Sequence, residues 1–130
     1  MSIRVLVADD HEVVRRGLVE LFPGTDIQVA AEASGGLQVL ELARTHLPDV
    51  ILLDITMPGG NGLTLAERLK ASTNTQTIPI IFLTASQQSD LRQKAMALGA
   101  AAYFEKPYDF DYLLAALRAA IEHPHVHLAI

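Results

Sequence analysis

Three carboxylates stand where apolar runs end. Asp9 and Asp10 follow the run from Ile3 to Ala8, and Asp54 follows Val50-Ile51-Leu52-Leu53. Two further runs end on a hydroxyl and an ammonium. Pro79-Ile80-Ile81-Phe82-Leu83 leads into Thr84, and Ala102-Tyr103-Phe104-Glu105 leads into Lys106-Pro107. Carboxylates crowded together repel one another, so such a group either holds protons or holds a cation. All-oxygen donors suit a hard ion, and Mg²⁺ takes one or two carboxylates together with waters and phosphate oxygens. A carboxylate is a competent phosphoryl acceptor. A lysine supplies a point charge to a phosphate oxygen, and a threonine supplies a hydroxyl donor. With a phosphoryl group of about −2 on Asp54, the site nets about −1 if Mg²⁺ and Lys106 are counted, and about −3 without the metal. Phosphoryl transfer asks mainly for positioning and charge neutralisation, and these residues offer both.

The elements that must position these groups follow from periodicity. Short continuous apolar runs bounded by polar residues read as strands buried on both faces, as in parallel sheets. Between them lie helical patterns. Val13, Val14, Gly17, Leu18, Leu21 and Phe22 recur at helical spacing and are stopped by Pro23-Gly24. Leu37, Leu40, Ala43 and Leu47 mark a second helix ended by Pro48, and Leu63, Ala66 and Leu69 a third, opened by the turn-rich stretch from Met57 to Gly62. Leu91, Ala95 and Leu98 mark a fourth, closed by Gly99, and Leu113, Leu114, Leu117 and Ile121 a fifth that runs to about Glu122. The stretch from Ile27 to Ala33 alternates apolar and polar residues, as a half-buried edge strand does. Five strands alternating with five helices predict an α/β fold with a parallel sheet covered on both faces, in three layers. The doubly wound, flavodoxin-like order 2-1-3-4-5 suits five such units with a partly polar second strand at the edge. That order makes strands one and three neighbours across a switch-point crevice, where ligands bind outside the strand ends. Asp9, Asp10 and Asp54 then share its rim.

Composition narrows the function classes. Half of the 130 residues are hydrophobic and 19% are charged, which suits a single folded domain and not a disordered chain. No apolar run approaches the roughly 20 residues of a membrane helix, and the short N-terminal run gives way at once to Asp9-Asp10-His11-Glu12, unlike a signal peptide. There is no cysteine, so disulfides, thiol catalysis and zinc–thiolate sites are excluded, and a cytoplasmic location is expected. A net charge of −5 opposes direct nucleic-acid binding.

The chain resembles the receiver (response-regulator) domain of two-component signalling over about residues 3 to 122. In that family an acidic pair closes the first strand, the phosphoacceptor Asp closes the third, a Thr or Ser closes the fourth, and Lys-Pro follows the fifth. Asp9-Asp10, Asp54, Thr84 and Lys106-Pro107 occupy those positions in order, with Met57-Pro58, Gly62 and the aromatic Tyr103 also matching. The resemblance implies a phosphorylation-activated switch and not an enzyme turning over a free substrate. Asp54 would accept the phosphoryl group from a phosphohistidine of a histidine kinase or phosphotransfer protein. Mg²⁺ would be held by Asp10, Asp54 and the backbone carbonyl of Thr56, with Asp9 acting largely through water. Lys106 and Thr84 would grip the phosphoryl oxygens and Tyr103 would reposition, changing the surface of the fourth helix, fifth strand and fifth helix. The same resemblance implies a cis Lys106–Pro107 peptide. Thr56 stands where an Asn or another polar residue is often found, and Ser86 is small; neither change removes a needed group. Residues 1–122 are expected to form the receiver and 123–130 a tail or the start of a linker, with an output domain in a longer chain and homodimerisation both compatible with the family.

Plainer roles exist for several of these residues. Asp10 precedes a helix and by itself reads as an N-cap. Arg15 and Arg16, between Glu12 and Glu20, read as a solvated helix face. Tyr103 could simply pack as a half-buried aromatic. His11 reads as an exposed first-turn residue, His46 needs no function, and His123, His125 and His127 lie in a tail expected to fray. Three rival functions differ in class. A haloacid-dehalogenase-like Mg²⁺ phosphatase uses an Asp nucleophile but normally carries a second Asp where Thr56 stands. A flavin carrier needs a phosphate cradle that Asp9-Asp10-His11-Glu12 does not make. A receiver could also act only as a docking module.

Overall fold

The computed structural model describes residues 2–57, 61–86, 88–122 and 128–129. Its elements alternate along the chain: β1 (Ile3–Ala8), α1 (Glu12–Val19), β2 (Ile27–Ala33), α2 (Gly36–His46), β3 (Val50–Asp54), α3 (Gly62–Ala71), β4 (Ile80–Thr84), α4 (Ser89–Ala97), β5 (Ala102–Glu105), α5 (Phe110–Glu122) and β6 (Leu128–Ala129). The strands form one parallel sheet in the order β2-β1-β3-β4-β5-β6. Its first five strands have the flavodoxin-like order expected from the sequence.

Alternating side chains of each strand feed two separate cores, as the pleat requires. Leu6, Ile51, Leu53, Ile80 and Phe82 point to one face, where Val39 and Leu40 of α2, Leu65 and Leu69 of α3 and Ala95 of α4 cover them. Val5, Val7, Val50, Leu52, Ile81 and Leu83 point to the other, under Leu18 of α1 and Leu113 and Leu117 of α5. The central strand β3 is buried along its whole length, which is why it reads as a continuous apolar run.

Several sequence expectations need correction. The first helix ends at Val19, short of Phe22, and Phe22 reaches the core from the turn that follows. Val13, Val14 and Leu21 share its apolar spacing but are 86%, 44% and 51% exposed, because only the stripe through Leu18 faces the sheet. Leu37 and Leu47 are likewise exposed. The buried stripe of α2 runs through Gly36, Val39, Leu40 and Ala43 instead. Asp10 caps no helix: His11 is the N-cap residue of α1, and the carboxylate that turns the chain there is Asp9, whose Oδ1 accepts from the His11 N–H at 2.9 Å. The tail was expected to fray, yet Leu128 and Ala129 pair in parallel with Ala102 and Tyr103. An edge strand leaves a row of unpaired backbone groups that any further extended segment can meet. His123, His125, His127 and the Pro58-Gly59-Gly60 turn lie outside the described residues.

Candidate functional site

Parallel register brings the strand ends together. Ala8 lies opposite Leu53, and Asp54 lies opposite Leu83, so Asp9, Asp54 and Thr84 leave the sheet side by side. The loop after Asp54 is held close to α3 at Gly62. Its N–H donates to the Ile55 carbonyl at 2.7 Å. A Cβ on Gly62 would lie 2.8 Å from Ile55 Cα and 2.9 Å from the Asp54 carbonyl oxygen. The backbone approach therefore requires glycine, and Asn61 caps the helix by accepting from the Thr64 N–H at 2.9 Å.

Oxygens of Asp9, Asp10 and Asp54 and the ring nitrogen of His11 all lie within 4.8 Å of one another. Asp9 and Asp54 are buried, at 4% and 3% exposure. Burial is the main reason that the Asp54 carboxyl is pushed up to about 6. Asp9 and Asp10 add repulsion, while Lys106 and the Thr56 N–H oppose the shift. Lys106 Nζ donates to Asp9 Oδ2 at 2.8 Å and stands 4.0 Å from Asp54 Oδ1. The Lys106 N–H donates to the Thr84 carbonyl at 2.7 Å, which anchors the lysine to the end of β4, and the Lys106–Pro107 peptide is cis. Thr56 donates its N–H to Asp54 Oδ1 at 3.4 Å.

The donor set fits a hard cation. Asp10 Oδ1 is buried with no hydrogen-bond partner, an arrangement that is costly for an ionised oxygen unless a cation meets it. The three carboxylates are the oxygen donors such an ion requires. A cavity of about 280 Å³ opens beside them, lined by His11, Val14, Asp54, Thr56, Ala85 and Lys106.

Two of the predicted site residues sit differently from their neighbours. Thr84 is fully buried and its Oγ1 accepts from the Ser86 N–H at 3.0 Å, so Ala85, not Thr84, lines the cavity. Tyr103 is fully buried, not half-buried, in the core under α4. Its hydroxyl has no partner, the Arg92 guanidinium lies 4.9 Å from its ring centroid, and burial pushes its phenol up from the ordinary value.

Arg15 is the residue whose part at the site its sequence position concealed. Instead of facing solvent it is largely buried. Its Nε donates to Glu32 Oε1 of β2 at 3.0 Å, and its Nη1 donates to the Asp9 carbonyl at 2.7 Å, so it braces the acidic turn. Arg16 pairs with the other oxygen of Glu32. Flanked by Glu12 and Glu20, Arg15 reads from sequence as part of a solvated face, but its carboxylate partner is Glu32 of β2.

The family model for the response regulator receiver domain matches residues 5–118. The chain is 34% identical over 118 residues to Transcriptional regulatory protein PdtaR of Mycobacterium tuberculosis, covering 91% of this chain and 56% of that protein. It is 33% identical over 118 residues to Sporulation initiation phosphotransferase F of Bacillus subtilis, covering 91% and 93%, and 36% identical to Response regulator UvrY of Escherichia coli, covering 90% and 53%. It thus spans about half the length of PdtaR and UvrY. Among solved structures, a two-component response regulator of the LuxR family from Aurantimonas sp. matches with a TM-score of 0.88 at 27% identity, over 100% of this chain and 90% of that one. The response regulator domain of Thermotoga maritima CheB matches with a TM-score of 0.84 at 28% identity, over 94% and 98%.

Proposed function

Since this chain belongs to the receiver-domain family of two-component response regulators, whose general function is that of a phosphorylation switch, we propose that Asp54 is its phosphoacceptor. The observation that carries this reading is a buried carboxylate at the end of β3, with Asp9, Asp10 and Lys106 gathered around it. The donor would be a phosphohistidine of a sensor histidine kinase or phosphotransfer protein. Asp10, Asp54 and the Thr56 carbonyl would hold Mg²⁺, with Asp9 acting through water. When bound, the ion supplies the positive charge that lets the anionic phosphoryl group approach the carboxylates.

The chain's own groups do the remaining work. Asp54 attacks phosphorus through a carboxylate oxygen, and the histidine nitrogen of the donor leaves. Lys106 turns from Asp9 toward a phosphoryl oxygen, a movement of a few ångströms by a flexible side chain. Thr84 releases the Ser86 N–H and presents its hydroxyl to a second oxygen. The shift at the end of β4 reaches Tyr103, packed beside it on β5, and from there the surface of α4, β5 and α5. A cavity of about 330 Å³ on that surface, lined in part by Arg92, Phe104, Tyr108 and Tyr112, gives the relay a place to be read. The protein would act without free-substrate turnover, with slow self-dephosphorylation only.

We place the receiver at residues 1–122 and a tail or linker start at 123–130. An output domain elsewhere in a longer chain, or in a partner protein, and homodimerisation both fit this assignment. Direct nucleic-acid binding by this chain does not, because its net charge is −5. No helix among the described residues is long and apolar enough to cross a membrane, and a cytoplasmic location is proposed.

Incubation with acetyl phosphate or phosphoramidate and Mg²⁺ tests this reading by intact-mass spectrometry. One phosphoryl group per chain, lost in Asp54→Asn, is the expected result. Sustained phosphate release from a small phosphomonoester over many turnovers would point to the phosphatase instead. A chain that stays unlabelled would be a docking module.

A further inference from the structure

One member of the acidic cluster is not an oxygen donor. His11 Nδ1 lies 3.3 Å from Asp10 Oδ1 and 3.6 Å from Asp9 Oδ1, and its backbone N–H is fastened to that same Asp9 oxygen. The residue is therefore tethered at the edge of the cluster, with its side chain 71% exposed. The Asp10 oxygen that it faces is buried and makes no hydrogen bond, so the 3.3 Å approach is not itself one. At that separation the two atoms form an ion pair when the ring is protonated, and present two donors to one cation when Nδ1 is not. The Asp54 oxygen completes a group of four donor atoms within 4.8 Å of one another, and the cavity gives an ion and its waters room to enter on the His11 side.

Carboxylates suit Mg²⁺ and Mn²⁺, whereas imidazole suits the later first-row ions, and affinity for nitrogen donors rises along that series. We propose that His11 Nδ1 is a direct ligand of the cation, which makes the site a mixed oxygen–nitrogen centre favouring Co²⁺ over Mg²⁺ more than three carboxylates alone would. This inference rests on the proposed cation site of Asp10 and Asp54 and adds a ligand to it. Because the His11 side chain is 71% exposed and the bond to Asp9 is made by its backbone N–H, His11→Gln is expected to keep the fold and the carboxylates in place.

The test uses the full chain with His123, His125 and His127 changed to Gln, which leaves His11 and His46, the latter beside Arg4 at the start of β1 and away from the cluster. Mn²⁺ is added and electron spin-echo spectroscopy detects nitrogen bound to the ion. Nitrogen modulation is expected, and it should vanish in His11→Gln. Calorimetric titration should show His11→Gln weakening Co²⁺ binding about tenfold while changing Mg²⁺ binding about twofold or less. Mn²⁺ that binds with only water and carboxylate signals, or His11→Gln with an unchanged ratio of Co²⁺ to Mg²⁺ affinity, would overturn the inference and leave the carboxylate site standing. Failure of Mn²⁺ to bind at all, or binding unaltered in Asp10→Asn, would overturn the underlying cation site, and the His11 assignment with it.

Discussion

Lys106 Nζ is bonded to Asp9 at 2.8 Å while it stands 4.0 Å from Asp54. The lysine thus neutralises Asp9 and leaves Asp54 Oδ1, the proposed acceptor, with a long 3.4 Å hydrogen bond from the Thr56 N–H. It is already close enough to reach a phosphoryl group on Asp54 without any backbone movement. Replacing it by Met removes the charge and keeps the stem. We expect Lys106→Met to slow labelling by acetyl phosphate about 100-fold, the scale on which loss of one charge-stabilising donor acts. Labelling rates at saturating Mg²⁺ check this.

Asp54 is held near 6, against an ordinary value of 3.8. Below about 4 the folded and unfolded chains both keep the proton; between about 4 and 6 only the folded chain does. Metal-free stability therefore falls as pH rises through that window and is level above it. Asp54→Asn removes the penalty and should stabilise the metal-free protein by about 1–2 kcal/mol at pH 7, with no gain at pH 4. Urea unfolding in a chelator at the two pH values measures the difference.

Asp10 contributes the buried oxygen that lacks a partner. A ligand that binds only the folded chain stabilises it by mass action, about 1.4 kcal/mol at ten times its dissociation constant. Mg²⁺ should raise the melting temperature of the wild type, and Asp10→Asn should abolish most of that rise. A melt with and without the ion reads this directly.

Gly62 leaves no room for a methyl group, because the atoms that it would meet belong to the backbone of Ile55 and Asp54. Backbone cannot rotate out of the way as a side chain can. Gly62→Ala should cost about 1–3 kcal/mol and also slow phosphorylation, since relief of the clash moves Asp54. Urea unfolding and labelling kinetics should change together.

Tyr103 carries a hydroxyl buried without a partner. Removing such a group relieves an unmet desolvation cost, so Tyr103→Phe should stabilise the unphosphorylated chain by about 1 kcal/mol. Chemical denaturation of the two proteins in the same buffer decides the sign.

Much of this molecule is legible without coordinates. Val50 to Leu53 is apolar at every position because β3 is covered on both faces, and burial on both faces leaves a continuous mark in a sequence. Asp54, ending such a run, had to emerge at the sheet's carboxyl edge, and so did Thr84 and Lys106. Strand order followed from the number of units and the half-polar pattern of Ile27 to Ala33.

What the chain alone left open are relationships between elements distant along it. Periodicity marks an apolar side of α1 but does not say how wide a stripe the sheet will cover, so Val13 and Val14 counted with Leu18 until packing separated them. Arg15 belonged with its neighbours until Glu32 arrived from β2 and the Asp9 carbonyl turned toward it. His11 stood for a first-turn residue until the backbone bond to Asp9 tethered it beside the carboxylates. The pairing of Leu128 and Ala129 with β5 depended on an open edge that only the assembled sheet presents. Burial of a whole element is written into the types of its consecutive residues. The direction of one side chain toward a distant partner is set by the crossing of elements, and that is decided when the sheet and helices close around the two cores.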